Sequence, residues 1–174
     1  MRSIQILRDL IAFPTISADP NRALISYCEG LLRGLGAEVT LIGDDTGHKA
    51  NLYATLGPRD RAGVLLSGHT DVVPVEGQAW SMPPFELTEQ DGRLYGRGTT
   101  DMKGFVACAL AIAEQAALQD LQTPLHLALS YDEEIGCVGV RSMIEMLADA
   151  PFVPRFCIVG EPTQLQVATG HKGK

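Results

Sequence analysis

Four clusters of acidic and imidazole side chains stand out along the 174-residue chain: His69-Thr70-Asp71, Asp101, Asp132-Glu133-Glu134 and Gly160-Glu161-Pro162. Three of them close a short apolar run. VLLSG leads into His69, PLHLALSY into Asp132 and RFCIVG into Glu161. In open α/β sheets the carboxyl ends of strands line the ligand crevice, so side chains delivered there can converge. One imidazole and several carboxylates in such a place look like a hydrolytic metal centre. Paired carboxylates alone would be ambiguous. The His-x-Asp pair tilts the reading toward a metal, because a ligating imidazole usually has a carboxylate on its other nitrogen.

Each residue also has an ordinary alternative. Alternation along an extended segment puts His69 and Asp71 on one side, so that one can bind metal while the other orients it; alone, His69 would read as a hydrogen-bonded loop histidine. Asp101 opens a long apolar helix, where an N-cap is the usual role. Its two oxygens could instead bridge two cations, and the glycines of GRGTTDMKG would let backbone approach a site closely. GRGTTD is no dinucleotide fingerprint, because the third glycine is absent and no strong strand precedes it. Glu133 and Glu134 read either as a solvated acidic turn or as a divided pair. In the second case one ligates metal and the other takes a proton from water whose pKa the metal lowers. Pro162 gives the Glu161 carboxylate a defined direction. His48 is assigned to an exposed turn and His126 to a structural place inside a strand. Trp80 and Phe85 are expected to pack a long loop, and Arg97 and Lys103 to support the acidic centre.

The elements that must position these groups follow from periodicity and breakers. Ile4, Leu7, Leu10 and Ile11 mark an amphipathic helix that ends near Phe13-Pro14. Asp19-Pro20-Asn21 caps a second helix, running to about Leu35 and stopped by Gly36. Strands are predicted over Ala37–Ile42, Asn51–Leu56 and Gly63–Gly68, the last continuously apolar, as in a sheet covered on both faces. Residues 74–100 read as one long functional loop. A helix from Asp101 to about Gln119 has Phe105, Ala109, Ile112 and Ala116 on one face, beside Val106, Leu110, Ala113 and Ala117, and should be largely buried. Leu125–Tyr131 is a strand, and Val138–Leu147 a helix with Val140, Ile144 and Leu147 inward. Phe156–Val159 is a strand, and Leu165–Ala168 starts another. This order predicts an α/β fold with a mostly parallel sheet sandwiched by helices.

Composition closes off other classes. A net charge of −7 argues against nucleic-acid binding, which needs a basic face. No apolar run approaches a membrane span, and Arg8-Asp9 interrupts any signal-peptide core. Cys28, Cys108, Cys137 and Cys157 form no Cys-x-x-Cys pair, and each sits in an apolar stretch. Buried free thiols in a reducing cytoplasm are expected.

Four ordered stretches, SGHTDVVPV, GRLYGRGTTDMKGF, SYDEEIGCVGVR and IVGEPT, resemble the di-zinc aminoacylase and deacetylase metallopeptidase family. The resemblance implies a zinc-peptidase-like catalytic domain holding two zinc ions, with cobalt as an alternative. His69 and Glu161 would bind one ion, Asp101 would bridge both, and Glu134 would bind the second. Asp71 would orient His69, and Glu133 would be general base and proton shuttle. The implied substrate is a small acylated amino acid, and the implied reaction is removal of the acetyl group from N-acetylornithine in arginine biosynthesis. Desuccinylase, aminoacylase and peptidase activities are the alternatives within the family. By the same resemblance, residues 1–170 are a partial catalytic domain and 171–174 begin an absent dimerisation domain. A histidine for the second zinc and the groups gripping the substrate's carboxylate lie beyond the chain. Homodimerisation is then expected only of a longer protein, and a catalytically incompetent metal-binding fragment is the rival reading.

Overall fold

The structure, a computed structural model, describes residues 1–170. The expected start of a dimerisation domain at 171–174 lies outside the described residues. In chain order the elements are α1 (Arg2–Ile11), α2 (Arg22–Gly34), β1 (Glu38–Gly43), β2 (Ala50–Leu56), β3 (Val64–His69), β4 (Thr88–Gln90) and β5 (Arg93–Tyr95). Then come α3 (Lys103–Ala116), β6 (Leu125–Ser130), α4 (Arg141–Ala148) and β7 (Phe156–Val159).

The main sheet has the order β1-β2-β6-β3-β7. β3 lies parallel to both β6 and β7, whereas β2 is antiparallel to both β1 and β6. Four strands therefore point one way and β2 alone points the other. The short Asp44–Lys49 connection can only close a hairpin, while the parallel neighbours need crossovers, which α3 and α4 supply. The chain moves from β3 to β6 in one direction and from β6 across to β7 in the other. Crossovers are right-handed, so the two helices must cover opposite faces.

They do. Leu52, Ala54, Leu56, Leu66, Leu127 and Leu129 form one core with α1, α2 and α3. The alternate residues Ile42, Tyr53, Leu65 and Ala128 pack with Val140, Met143 and Leu147 around α4. The expected sandwich is present.

Several expectations need correction. α3 is buried, but along Val106, Leu110 and Ala113 with Ala107 and Ala109, while Ile112 is half exposed. The i, i+4, i+7 seam packs on α1 and β3, and the many alanines had hidden its phase. In α4 it is Met143 that is buried between Val140 and Leu147, and Ile144 points outward. Residues 74–100 contain the β4–β5 hairpin, closed by Asp91 and Gly92, both at positive φ. That is the geometry an Asp-Gly pair favours. Asn21 sits at the α2 N-cap without a side-chain cap bond; its amide pairs in both directions with Ala50 backbone. Leu165–Ala168 forms no strand, because Gln164 and Leu165 adopt left-handed φ and close a turn. Only Cys28 is buried; Cys108, Cys137 and Cys157 are exposed, and all four are free. Among the described residues no helix is long and apolar enough to cross a membrane.

Candidate metal centre

The three adjacent parallel strands β6, β3 and β7 end at the same edge, with β3 in the middle. His69 is the last residue of β3. Beyond β6 the chain turns at Asp132, which has left-handed φ, and presents Glu133 and Glu134. Beyond β7 it presents Glu161. Gly160 precedes it because the backbone there lies against Phe105 of α3, and an added Cβ would run into that ring. Asp101 comes from the segment leading into α3 and is no N-cap, since the helix begins two residues later.

His69 is almost wholly buried and stands at the centre. Its Nε2 is 3.0 Å from Asp101 Oδ1, 3.7 Å from Glu133 Oε2 and 3.8 Å from Glu161 Oε1. Its Nδ1 is 2.9 Å from the Asp71 carbonyl oxygen and 3.5 Å from Asp71 Oδ1. Both Asp71 oxygens accept, so in the neutral ring the proton belongs on Nδ1, and Nε2 keeps its lone pair for a metal. The nearest contact of Asp71 with the His69 ring is through its backbone carbonyl rather than its carboxylate.

Two sets of donors share His69. His69, Glu133 and Glu161 can bring ligand atoms within 4.8 Å of one another, and so can His69, Asp101 and Glu134. The sets open onto different cavities. One of about 170 Å³ is lined by His69, Met102, Glu133, Cys137 and Glu161. The other, about 220 Å³, is lined by Arg97, Thr100, Asp101 and Glu134.

The electrostatics ask for added positive charge. Five carboxylates, from Asp71, Asp101, Glu133, Glu134 and Glu161, surround one imidazole. Burial, then the Asp101 charge, raises the Glu134 carboxyl above its usual range. Burial likewise raises Glu161; His69 opposes the shift, while Asp101 and Glu133 add to it. For His69, burial works against the charged form, but the hydrogen bond and charge of Asp71, then Glu161 and Asp101, outweigh it and lift the imidazole to about 9. Asp71 is penalised by burial, yet its bonds to His69, Ser17 and the Glu133 N–H hold it below the usual carboxylate range. One nitrogen and several carboxylate oxygens form a donor set that suits zinc or cobalt.

Arg97 lines the cavity of Asp101 and Glu134, but among the described residues neither it nor Lys103 forms an ion pair with the acidic centre. Arg97 stacks on Trp80, 5.0 Å from the ring centroid, and bonds Gln78. Lys103 is fully buried, donates to the carbonyls of Leu10 and Phe13 at the end of α1, and is pushed by burial down to about 7. His48 is exposed and His126 is buried in β6, bonded to Thr55. Three contributors had no sequence signal: Ser17, which donates to Asp71 Oδ2 at 2.7 Å; Lys49, which pairs with Asp132 at 2.6 Å; and Cys137, which donates to Glu133 Oε1 at 3.2 Å.

Residues 65–172 match Peptidase family M20/M25/M40. The chain belongs to that family. The matched span holds His69, Asp71, Asp101, Glu133, Glu134 and Glu161, so M20 membership and the geometry concern the same residues. The acetylornithine deacetylase of Yersinia pseudotuberculosis is 41% identical over 98% of this chain and 46% of its own length. That of Klebsiella pneumoniae strain 342 is 42% identical over 98% of this chain and 45% of its own. The chain therefore spans about half the length of the curated M20 relatives it matches. Among solved structures, human carnosine dipeptidase 1 has a TM-score of 0.73 at 28% identity, covering 87% of this chain and 37% of that one. An M20 metallo-carboxypeptidase from Sulfolobus solfataricus has a TM-score of 0.77 at 25% identity, covering 92% and 37%. The metallopeptidase-family resemblance and the sandwich fold are both met.

Proposed function

We propose that the chain carries most of the metal centre of an amide hydrolase that removes the acetyl group from N-acetylornithine. The observation that carries this is His69, held between two carboxylate sets at the ends of three parallel strands. The substrate is favoured by identity: 41% to acetylornithine deacetylases, against 28% and 25% to the dipeptidase and the carboxypeptidase. With that substrate go arginine biosynthesis, a cytoplasmic setting and, for a protein of the relatives' length, a homodimer.

His69 and Glu161 would hold one zinc, Asp101 would bridge, and Glu134 would hold the second. Bound zinc supplies Lewis acidity, which acidifies water and polarises an amide carbonyl. The chain's own residues do the rest. Asp71 fixes the His69 ring. Glu133 takes a proton from the attacking water and returns it to the departing α-amine, and its Oε1 is steadied by the Cys137 thiol. Glu133 also stands among the ligand candidates with His69 and Glu161, so ligand rather than base is the second reading.

Metal analysis of two variants tests the assignment. His69→Ala should lose most bound zinc, because the imidazole is the one nitrogen donor among the proposed ligands and the rest are carboxylates. Glu133→Gln should keep it, and in a catalytically active form should lose about 10²–10⁴-fold in turnover. Unchanged metal in His69→Ala overturns the centre. Metal loss in Glu133→Gln makes Glu133 a ligand.

A further inference from the structure

The segment between α1 and α2 supplies no proposed ligand or base, yet it touches both loops that carry them. Ile16 forms a parallel bridge with Val72. Val72 N–H donates to the Thr15 carbonyl at 3.0 Å, and Ser17 N–H donates to the Val72 carbonyl at 3.0 Å. Thr15 Oγ1 donates to the Thr70 carbonyl at 2.6 Å. These bonds fix the segment to the loop after β3. On its other side, Ala18 N–H donates to Asp132 Oδ1 at 3.1 Å, on the loop after β6. Ala18 reaches it in a left-handed conformation, with φ of 76°, which a non-glycine residue adopts at a cost.

Ser17 stands where these loops meet. Its hydroxyl donates to Asp71 Oδ2 at 2.7 Å. The same carboxylate accepts from Glu133 N–H at 3.0 Å through Oδ1 and from Glu134 N–H at 3.2 Å through Oδ2. Asp71 is buried, so its oxygens have no water to replace a lost donor. Without the Ser17 hydroxyl, Oδ2 keeps only the longer Glu134 bond. The carboxylate is then held only by the two glutamate amides, so motion about its χ2 loosens both of them and its 3.5 Å approach to His69 Nδ1, while the Asp71 carbonyl keeps its bond to the ring.

We propose that Ser17 is a positioning residue of the metal centre: acting through Asp71, it sets the His69 ring against the Glu133–Glu134 pair. The inference rests on the site being a metal centre. Removing an outer partner of a ligand typically weakens metal binding about 10–100-fold, and Ser17 stands one bond further out. A loss of about tenfold is therefore expected for Ser17→Ala.

The test uses the 174-residue chain. Zinc affinity is measured by competition with a chromophoric chelator for wild type, Ser17→Ala, Ser17→Thr and His69→Ala. Visible absorption of the cobalt-loaded forms is recorded, and amide exchange at Glu133 and Glu134 is followed without metal. The expected pattern has four parts: weaker zinc binding and an altered cobalt spectrum in Ser17→Ala; faster exchange at both amides; a metal-free melting temperature lowered by only a few degrees, as the loss of one buried hydrogen bond implies; and recovery in Ser17→Thr, which restores the hydroxyl. Wild-type affinity in Ser17→Ala, with metal lost in His69→Ala, overturns the role of Ser17 and leaves the metal centre standing. Equal loss in Ser17→Ala and Ser17→Thr also overturns it, because the hydroxyl would then be irrelevant. Absence of zinc binding in wild type removes the metal reading, and the inference with it.

Discussion

Lys49 and Asp132 form the buried ion pair behind the glutamate loop, and breaking it should cost more than any surface change. The ammonium lies 2.6 and 2.7 Å from the two carboxylate oxygens, with side-chain exposures of only 9% and 12%. Lys49 also sits 5.6 Å from the Tyr131 ring centroid. In Lys49→Met the stem packs much as before, but Asp132 keeps a buried charge answered only by the Ala18 N–H. Removing one partner of a buried pair costs about 3–5 kcal/mol. For a chain of this size even about 3 kcal/mol lowers the melting temperature by about 6–12 °C. Asp132→Asn isolates the charge from the backbone, because asparagine tolerates the left-handed φ of 53° and can still accept from Ala18. It leaves the Lys49 cation stranded and should also destabilise. The double variant Lys49→Met with Asp132→Asn strands no charge, so it should be clearly more stable than the sum of the single losses allows. Urea denaturation of the four proteins at neutral pH measures the cycle. A Lys49→Met loss below about 1 kcal/mol, the value of an exposed pair, or strict additivity in the double variant, would refute the reasoning.

The sequence showed what lies along one strand and little of what lies between distant ones. His69, Glu134 and Glu161 were legible because each follows an apolar run long enough to be a buried strand, and parallel strands bring their carboxyl ends to one edge; Asp101 was legible only as the acid that opens the long apolar helix. The single helix on the second face, by contrast, is a consequence of sheet order, which periodicity does not reveal. The Asp91-Gly92 hairpin carried a local signal that the search for a functional loop passed over. The phases of α3 and α4 were misjudged because alanine-rich and all-apolar stretches offer two adjacent faces, and only packing on α1 or on Leu65 and Ala128 chooses between them. Ser17–Asp71 and Lys49–Asp132 join residues 54 and 83 positions apart. A serine before an alanine, or a lysine in a turn, has no local mark of such a partner. Cysteine exposure failed for the same reason: Cys108 and Cys157 sit in apolar runs whose outer faces are open.

The remaining predictions concern protons and turnover. The imidazole of His69 is lifted from 6.5 to about 9, so in the metal-free protein its stabilising charge is fully present below pH 6.5 and is lost as pH rises through 9. Zinc needs the neutral ring, so zinc affinity should rise over that same interval while metal-free stability falls, and His69→Ala should flatten the His69 part of both curves; parallel trends would contradict this electrostatic account. Turnover is the last test. In the proposed assignment His69, Asp101 and Glu161 would hold one ion, with only Asp101 and Glu134 for the second, and the chain spans about half the length of its deacetylase relatives. Positioning of substrate can supply several kcal/mol of a barrier, and about 1.4 kcal/mol is worth tenfold in rate. N-acetylornithine hydrolysis by the 174-residue chain should therefore run orders of magnitude below a full-length relative. It should recover when the relative's C-terminal half is supplied separately, because the ligands described here are already in place. Robust turnover by the chain alone would mean that the described residues suffice for both metal and substrate, and would overturn the division of labour drawn here.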